Sequence, residues 1–388
     1  MMEEALMSPF TFSTTPSLVF GSGSIARLGE IVAQRLGPRV ALVTDAGLVK
    51  AGLVAPALHS LEEAGIAVDV FDSVVADPPE DVVLAAIAQA RAFEARAVIG
   101  FGGGSSLDVA KLVALLAPGG ENLSDIYGVG LAKGPRLPLL AIPTTAGTGS
   151  EVTPISIVTT GAHEKKGVVS ALIIPDIALL DPDLTLGLPP PVTAATGIDA
   201  MVHAIEAYTS ASPNNNPVSK ALAKEALRLL GRNIERAVRH GRDGEARSAM
   251  LLGSLLAGQA FANSPVAAVH ALAYPIGGRF GVAHGLSNAL VLPHVLRFNA
   301  SACEAAYAEL APHAFPELEG RATAMAFAGA LASLCVKVGL PSRLRDVGIP
   351  HDAVPILAED AMKQTRLLVN NPRPLTEKDA RAIYEAAW

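Results

Sequence analysis

Short β-branched runs alternate with helix-patterned stretches through the first half of this 388-residue chain, and the alternation stops at a triple proline. PSLVFG (16–21), RVALVTD (39–45), VDVFDSV (68–74), RAVIGFGGG (96–104) and LPLLAIPTT (137–145) are read as strands. GLVAPALHSLEEAG (52–65) and EDVVLAAIAQARAFEA (80–95) are read as helices between them. This alternation builds a mainly parallel sheet wrapped by helices, whose ligands bind at the carboxyl ends of the strands. From about Leu188 onward almost everything is Ala- and Leu-rich helical sequence. Pro189, Pro190 and Pro191 cannot lie inside a helix, so LPPPVTAATG marks a boundary, with Thr193 or Thr196 expected to cap the next helix. The expected organisation is an α/β unit over residues 1–187 and a helical unit over 188–388, packed around a cleft.

Half the residues are hydrophobic and 17% are charged, which suits a large buried core and excludes a disordered chain. A net charge of −7 without any run of Lys or Arg argues against nucleic acid or an anionic membrane as partner, and for a small molecule. Cys303 and Cys335 lack CxxC spacing and read as reduced, buried thiols of a cytoplasmic protein. The opening MMEEALMSPF is acidic where a secretory signal is basic, so no export signal is expected. No charged residue occurs between Arg247 and Arg279, yet Gln259, Asn263, Pro265, His270 and Pro275 interrupt that stretch. A buried helix is expected there, not a membrane span.

GFGGGSSLDVAK (100–111) is the clearest ligand loop, since three glycines lie where a strand turns into a helix. Glycine there lets a phosphate approach backbone N–H groups at the positive end of the helix dipole. A plain tight turn is the competing reading. GSGSIARLG (21–29) also follows a strand, but its third glycine is misplaced for a dinucleotide fingerprint, so a turn is favoured. PTTAGTGSEVT (143–153) offers hydroxyls behind a strand, suited to ribose, nicotinamide amide or phosphate, or else is a polar loop. In VTDAGLVKAG (43–52), Asp45 is placed equally well to accept from a ribose diol or to cap a helix.

In GIDAMVHAIEAY (197–208), Asp199 and His203 are four apart and share one helix face. Alone, such a pair is more often a hydrogen bond than a metal site. HALAYPIGGRFGVAHGLSNALVLPHV (270–295) adds His270, read as ending a long uncharged helix, and His284, beyond Pro275 and three glycines. One carboxylate and three imidazoles suit Fe²⁺ or Zn²⁺, whereas calcium or magnesium wants more oxygens. His59, His163, His240, His313 and His351 are read as surface or capping groups, and His294 as a neighbour of the metal ligands.

Taken together, GGGSSLDVAK, TTAGTGSEVT, DPDLTLGLPP, GIDAMVHAIEAY and HALAYPIGG…AHGLSNALVLPHV, in this order across residues 100–298, resemble the iron-containing (group III) alcohol dehydrogenases. The resemblance implies an α/β N-terminal Rossmann-like domain, an all-α C-terminal domain and a dehydroquinate synthase-like architecture. It places the metal on Asp199, His203, His270 and His284, the pyrophosphate on Gly102, Gly103, Gly104 and Ser105, and further cofactor contacts on Thr144, Thr145 and Thr148. A lysine near the nicotinamide ribose falls on Lys165, with Lys166 adjacent, and Asp45 favours NAD over NADP. Two departures are visible. Tyr274 stands where many members carry a histidine near the substrate, and Asp77, Pro78 and Pro79 replace Asn-Pro-Thr.

The expected reaction is hydride transfer between a small alcohol and NAD(P), or the reverse reduction of an aldehyde or ketone, by a homodimer or higher homo-oligomer. Pro154, Phe261, Ser264, Tyr274 and Phe280 are candidates for shaping the substrate pocket. A dehydroquinate synthase-type lyase is the rival enzyme. The Asp199…His203 pair and the fourteen-residue step from His270 to His284 count against it. A non-catalytic nucleotide-binding protein is the other alternative.

Overall fold

The apolar runs of the first half pair in parallel because an intervening helix or loop returns the chain to the same end of the sheet before each one starts. The computed structural model describes residues 8–161 and 164–388; most of the acidic opening stretch and His163 lie outside them. Nine strands are present among the described residues: β1 (Ser17–Phe20), β2 (Arg39–Val43), β3 (Ala67–Phe71), β4 (Ala97–Gly102), β5 (Gly128–Val129), β6 (Leu139–Pro143), β7 (Ile155–Thr160), β8 (Glu164–Val169) and β9 (Ile177–Leu180). Six form a sheet ordered β1-β9-β6-β4-β2-β3 in which every pairing is parallel. Helices α1 (Leu28–Arg35), α2 (Ala46–Lys50), α3 (Ala55–Glu63), α4 (Glu80–Ala92) and α5 (Gly104–Leu116) accompany it. Central β4 is buried along its whole length, as a strand covered on both faces must be. Gly102 of β4 pairs with Pro143 of β6, so the glycine loop and the TTAGTGS loop leave the sheet side by side.

A second sheet, β5-β8-β7, is absent from the sequence reading. Antiparallel β7 and β8 lie beside α5, where Ile157 N donates to Asp108, and carry Lys165 to the cleft.

Residues beyond the prolines fold as α6 (Pro190–Thr209), α7 (Pro217–Arg239), α8 (Gly244–Asn263), α9 (Ala268–Phe280), α10 (His284–Ala314), α11 (Ala324–Lys337), α12 (Val354–Met362), α13 (Thr365–Leu368) and α14 (Glu377–Ala387). The architecture is thus an α/β domain followed by an all-helical domain, as expected. Among the described residues no helix is long and apolar enough to cross a membrane.

Two local expectations are corrected. Pro190 and Pro191 form the first turn of α6, where the missing N–H has no partner to lose, and Pro189 occupies the cap. Thr193 lies inside the helix and its hydroxyl accepts from buried Arg247 at 2.7 Å, while Thr196 donates back to the Val192 carbonyl. The uncharged stretch is likewise two helices. It breaks around Pro265, which places His270 in the first turn of α9 and Pro275 inside it.

Close approach of backbones joins the halves. Gly149, at φ +60°, faces Gly258 of α8, and a Cβ added to Gly149 would lie 2.6 Å from the Gly258 Cα. Within the helical half, a Cβ on Gly285 would lie 2.4 Å from the Ala195 carbonyl oxygen. Only glycine lets the start of α10 settle on α6, and that contact brings His284 to Asp199.

Candidate active site

Helix α6 is buried on nearly every side, so each polar group in its middle must be answered within the protein. Asp199 and His203 occupy one face, His270 opens α9, and His284 is the first residue of α10. Their potential ligand atoms all lie within 4.8 Å of one another. The His270 and His284 Nε2 atoms stand 3.8 and 3.6 Å from Asp199 Oδ1. The His203 ring stacks between Phe261 at 4.3 Å and His270 at 4.8 Å. Burial pushes His203 down to about 3 and lowers His284 too, so both are neutral imidazoles with a lone pair to give.

Hydrogen bonds decide which nitrogen carries that lone pair. His203 Nδ1 lies 3.2 Å from the Gly147 carbonyl, and His270 Nδ1 lies 2.6 Å from Glu206 Oε2. Each partner accepts, so each Nδ1 is protonated and each Nε2 is left to coordinate. His270 Nε2 is buried and has no hydrogen-bond partner. A buried polar atom left unpaired and aimed into a carboxylate–imidazole cluster fits a metal ion. Asn288, one turn after His284, donates to Asp199 Oδ1 at 2.5 Å and steadies the carboxylate.

The cluster faces the glycine loop across a cleft of about 200 Å³, lined on one side by Gly104, Ser105 and Thr148 and on the other by the donor residues and Tyr274. Gly102 and Gly104 are demanded by packing, since added Cβ atoms would lie 2.7 Å from Ser106 Oγ and Thr148 Cγ2. Gly103 is different: its φ of −75° is ordinary and its nearest neighbour would be Thr145 Cγ2 at 3.7 Å. Its bareness keeps the N-terminus of the 13-residue α5 open, as an approaching phosphate requires.

Residues 15–182 match the family profile "Iron-containing alcohol dehydrogenase", and residues 193–388 match "Fe-containing alcohol dehydrogenase family, C-terminal". The chain belongs to the iron-containing alcohol dehydrogenase family. It is similar to long-chain-alcohol dehydrogenase 1 of Geobacillus thermodenitrificans, with 43% identity over 95% of this chain and 94% of that one. A crystal structure of a 1,3-propanediol oxidoreductase superposes with a TM-score of 0.93 at 36% identity, covering 98% of this chain and 100% of the other. A sulfoacetaldehyde reductase from Bifidobacterium kashiwanohense, solved in complex with NAD⁺, superposes with a TM-score of 0.87 at 29% identity, covering 98% of each chain. This protein is accordingly an NAD-dependent alcohol dehydrogenase, or in reverse an aldehyde reductase, with an Asp-His-His-His metal site. The lyase and non-catalytic alternatives give way to that assignment.

In this alcohol dehydrogenase the remaining expected residues fall as follows. Thr144 is buried, with its N–H on the Gly102 carbonyl, Thr145 faces Gly103, and Thr148 packs under Gly104. Asp45 caps α2, accepting from Leu48 N at 3.0 Å through Oδ1, so the cap reading holds and one carboxylate oxygen remains for another partner. Lys165 turns into the cleft and its ammonium sits 2.6 Å from Asp77 Oδ1, whereas Lys166 turns outward over Tyr127. The family departure at Asp77 therefore places a carboxylate against that lysine, at φ +51°. Tyr274 lines the cleft with its ring 5.8 Å from that of His284, and burial pushes its phenol up.

Of the substrate-pocket candidates, Phe261 and Tyr274 face the cleft; Pro154, Ser264 and Phe280 are not among its lining residues. Neither is His294. The groups that hold the ligand imidazoles and carboxylate are Glu206, Asn288 and the Gly147 carbonyl. Glu206 had a signal in the sequence: it is an acid in an apolar helix, three residues after His203 and seven after Asp199, hence on the same face.

Proposed function

We propose that Asp199, His203, His270 and His284 hold one divalent ion, Fe²⁺ or Zn²⁺, and that the cleft passes hydride between NAD and a small alcohol, aldehyde or ketone. The single observation that carries this reading is the buried, unpartnered His270 Nε2, whose ring is fixed by Glu206 so that its lone pair points into the donor cluster. When bound, the ion supplies Lewis acidity toward a substrate oxygen and the nicotinamide supplies or accepts hydride. The protein's own part is positional. Phe261 and Tyr274 wall off the reacting end from water, while the bare N-terminus of α5 at Gly103, Gly104 and Ser105 takes the pyrophosphate. Thr145 and Thr148 offer hydroxyls beside it, and Thr144 holds the loop in place. Asp45 accepts from the ribose diol through its spare oxygen and repels a 2′-phosphate, favouring NAD over NADP. Lys165 lies beside His284 and approaches the nicotinamide ribose.

Residues 1–187 act as the cofactor-holding unit and 188–388 as the metal-holding unit. Leu18 and Phe20, exposed on edge strand β1, support assembly as a homodimer or higher homo-oligomer. Two free, buried cysteines support a reducing, cytoplasmic setting.

The experiment loads protein separately with Fe²⁺ and Zn²⁺ and follows NADH oxidation with a panel of small aldehydes and ketones, alongside the metal content of wild type and His270→Ala. Turnover and metal content both fall in the variant; an H270A protein that keeps its metal and its rate overturns the reading.

A further inference from the structure

Five charged side chains line the cleft: Asp77, Asp108, Lys165, Asp199 and Arg366. Four have their charge answered. Lys165 and Asp77 pair at 2.6 Å, and Asp199 accepts from Asn288 within the donor cluster. Asp108 accepts from Ser150 Oγ at 2.6 Å and from Ile157 N at 2.9 Å, and lies 3.8 Å from the buried Lys111 ammonium. Arg366 differs: among the described residues no carboxylate lies within 4.0 Å of its guanidinium. Its side chain leaves α13 toward β8, where glycine at position 167 makes room for it, Nη2 lying 4.0 Å from the site of a Cβ there. The guanidinium faces the Tyr274 phenol, whose ring adjoins His284. A permanent cation with donors along two edges of its plane therefore lines the cleft beside Tyr274, without a carboxylate partner among the described residues.

We propose that Arg366 receives a carboxylate at the far end of the substrate, so that the preferred aldehydes are ω-oxo acids whose carbonyl end points at the donor cluster. Planar guanidinium matches a carboxylate in a bidentate pair, a fit that a hydroxyl or methyl end group does not offer. The diphosphate of NAD, the other anion of the cleft, is matched on the opposite wall by the N-terminus of α5. The inference rests on the aldehyde-reductase reading above.

The test uses the full-length, metal-loaded protein. Initial rates with NADH are compared for 4-oxobutanoate against 4-methylpentanal and for 5-oxopentanoate against 5-methylhexanal, each neutral aldehyde carrying an isopropyl group of similar size in place of the carboxylate. Wild type favours the better ω-oxo acid over its neutral counterpart in kcat/KM by about tenfold, the discrimination of one charge-assisted pair. That ratio collapses in Arg366→Gln, persists in part in Arg366→Lys, and shrinks as salt is raised. Turnover of the neutral aldehydes without any preference for the acids overturns the proposal and leaves the reductase reading standing, whereas no turnover of any aldehyde removes both. An Arg366→Gln protein that loses NADH affinity while keeping the substrate ratio assigns Arg366 to the cofactor and also overturns it.

Discussion

Glu206→Gln isolates the part a non-ligand plays in making the metal site. The wild-type carboxylate meets donors at both oxygens: Val269 N at 2.6 Å on Oε1 and His270 Nδ1 at 2.6 Å on Oε2. A glutamine of the same shape has one oxygen to give. If it keeps Val269, its NH₂ turns to His270 and favours the tautomer protonated at Nε2, which removes the lone pair a metal needs. If it keeps His270, the NH₂ opposes the Val269 N–H in the first turn of α9. Either way one buried, charge-assisted hydrogen bond is lost, about 1.5–3 kcal/mol. Substitution of such partners of metal-bound histidines lowers metal affinity by roughly 10–100-fold. The assay is equilibrium competition for Zn²⁺ against a chromophoric chelator, run beside thermal melts of the metal-free protein to establish that the variant is folded. Affinity unchanged within about twofold in a folded variant would refute the reasoning, because one branch removes the tautomer His270 needs and the other removes the hydrogen bond that fixes the first turn of α9 beneath it.

Three further outcomes are expected. Gly103→Ala keeps its melting temperature, because the added methyl meets nothing nearer than 3.7 Å, yet loses NADH affinity by fluorescence titration; Gly104→Ala, with a contact at 2.7 Å, also loses about 1–3 kcal/mol of stability in denaturant unfolding. Asp45→Asn keeps the α2 cap, since asparagine caps as well as aspartate, while relaxing the preference for NADH over NADPH in steady-state kinetics. Buried Glu151, 1% exposed, has its pKa pushed by desolvation from 4.5 up to about 7. The folded state then holds this proton more tightly than the unfolded chain, so stability falls as pH rises from 4.5 to about 7, by roughly 3 kcal/mol at most from this group. Glu151→Gln flattens that stretch of the melting-temperature profile; a slope equal to wild type would locate the titration elsewhere.

What could be read in the residues depended on whether the signal was local. The strands of the main sheet and the glycine loop announce themselves within a dozen residues, and Asp199 and His203 share a helix face by spacing alone. That His270 and His284 close on the same point does not follow from spacing. It depends on α9 and α10 folding back onto α6, which the bare Cα of Gly285 permits. Residue type and apolar setting nominated the four, the family resemblance matched them, and the packing explains how they meet. Pro190 and Pro191 depart from the helix-breaker expectation because proline is costly inside a helix and harmless in its first turn, where no N–H is needed. The alternation of ISIVTT, buried at every second position, was a legible strand signal, but its pairing with β8 lifted Lys165 into a cleft that no local pattern describes. Arg366 is the extreme case: it lies 163 residues after His203 on a single turn of helix, and only the folded chain shows that it shares a wall with Tyr274. The metal ligands, answered by one another and by Glu206, are the part of such a site that a helix can write into its own sequence. The charge that meets the far end of a substrate can come from any element the fold brings to the rim, so substrate preference is the property least legible before the structure.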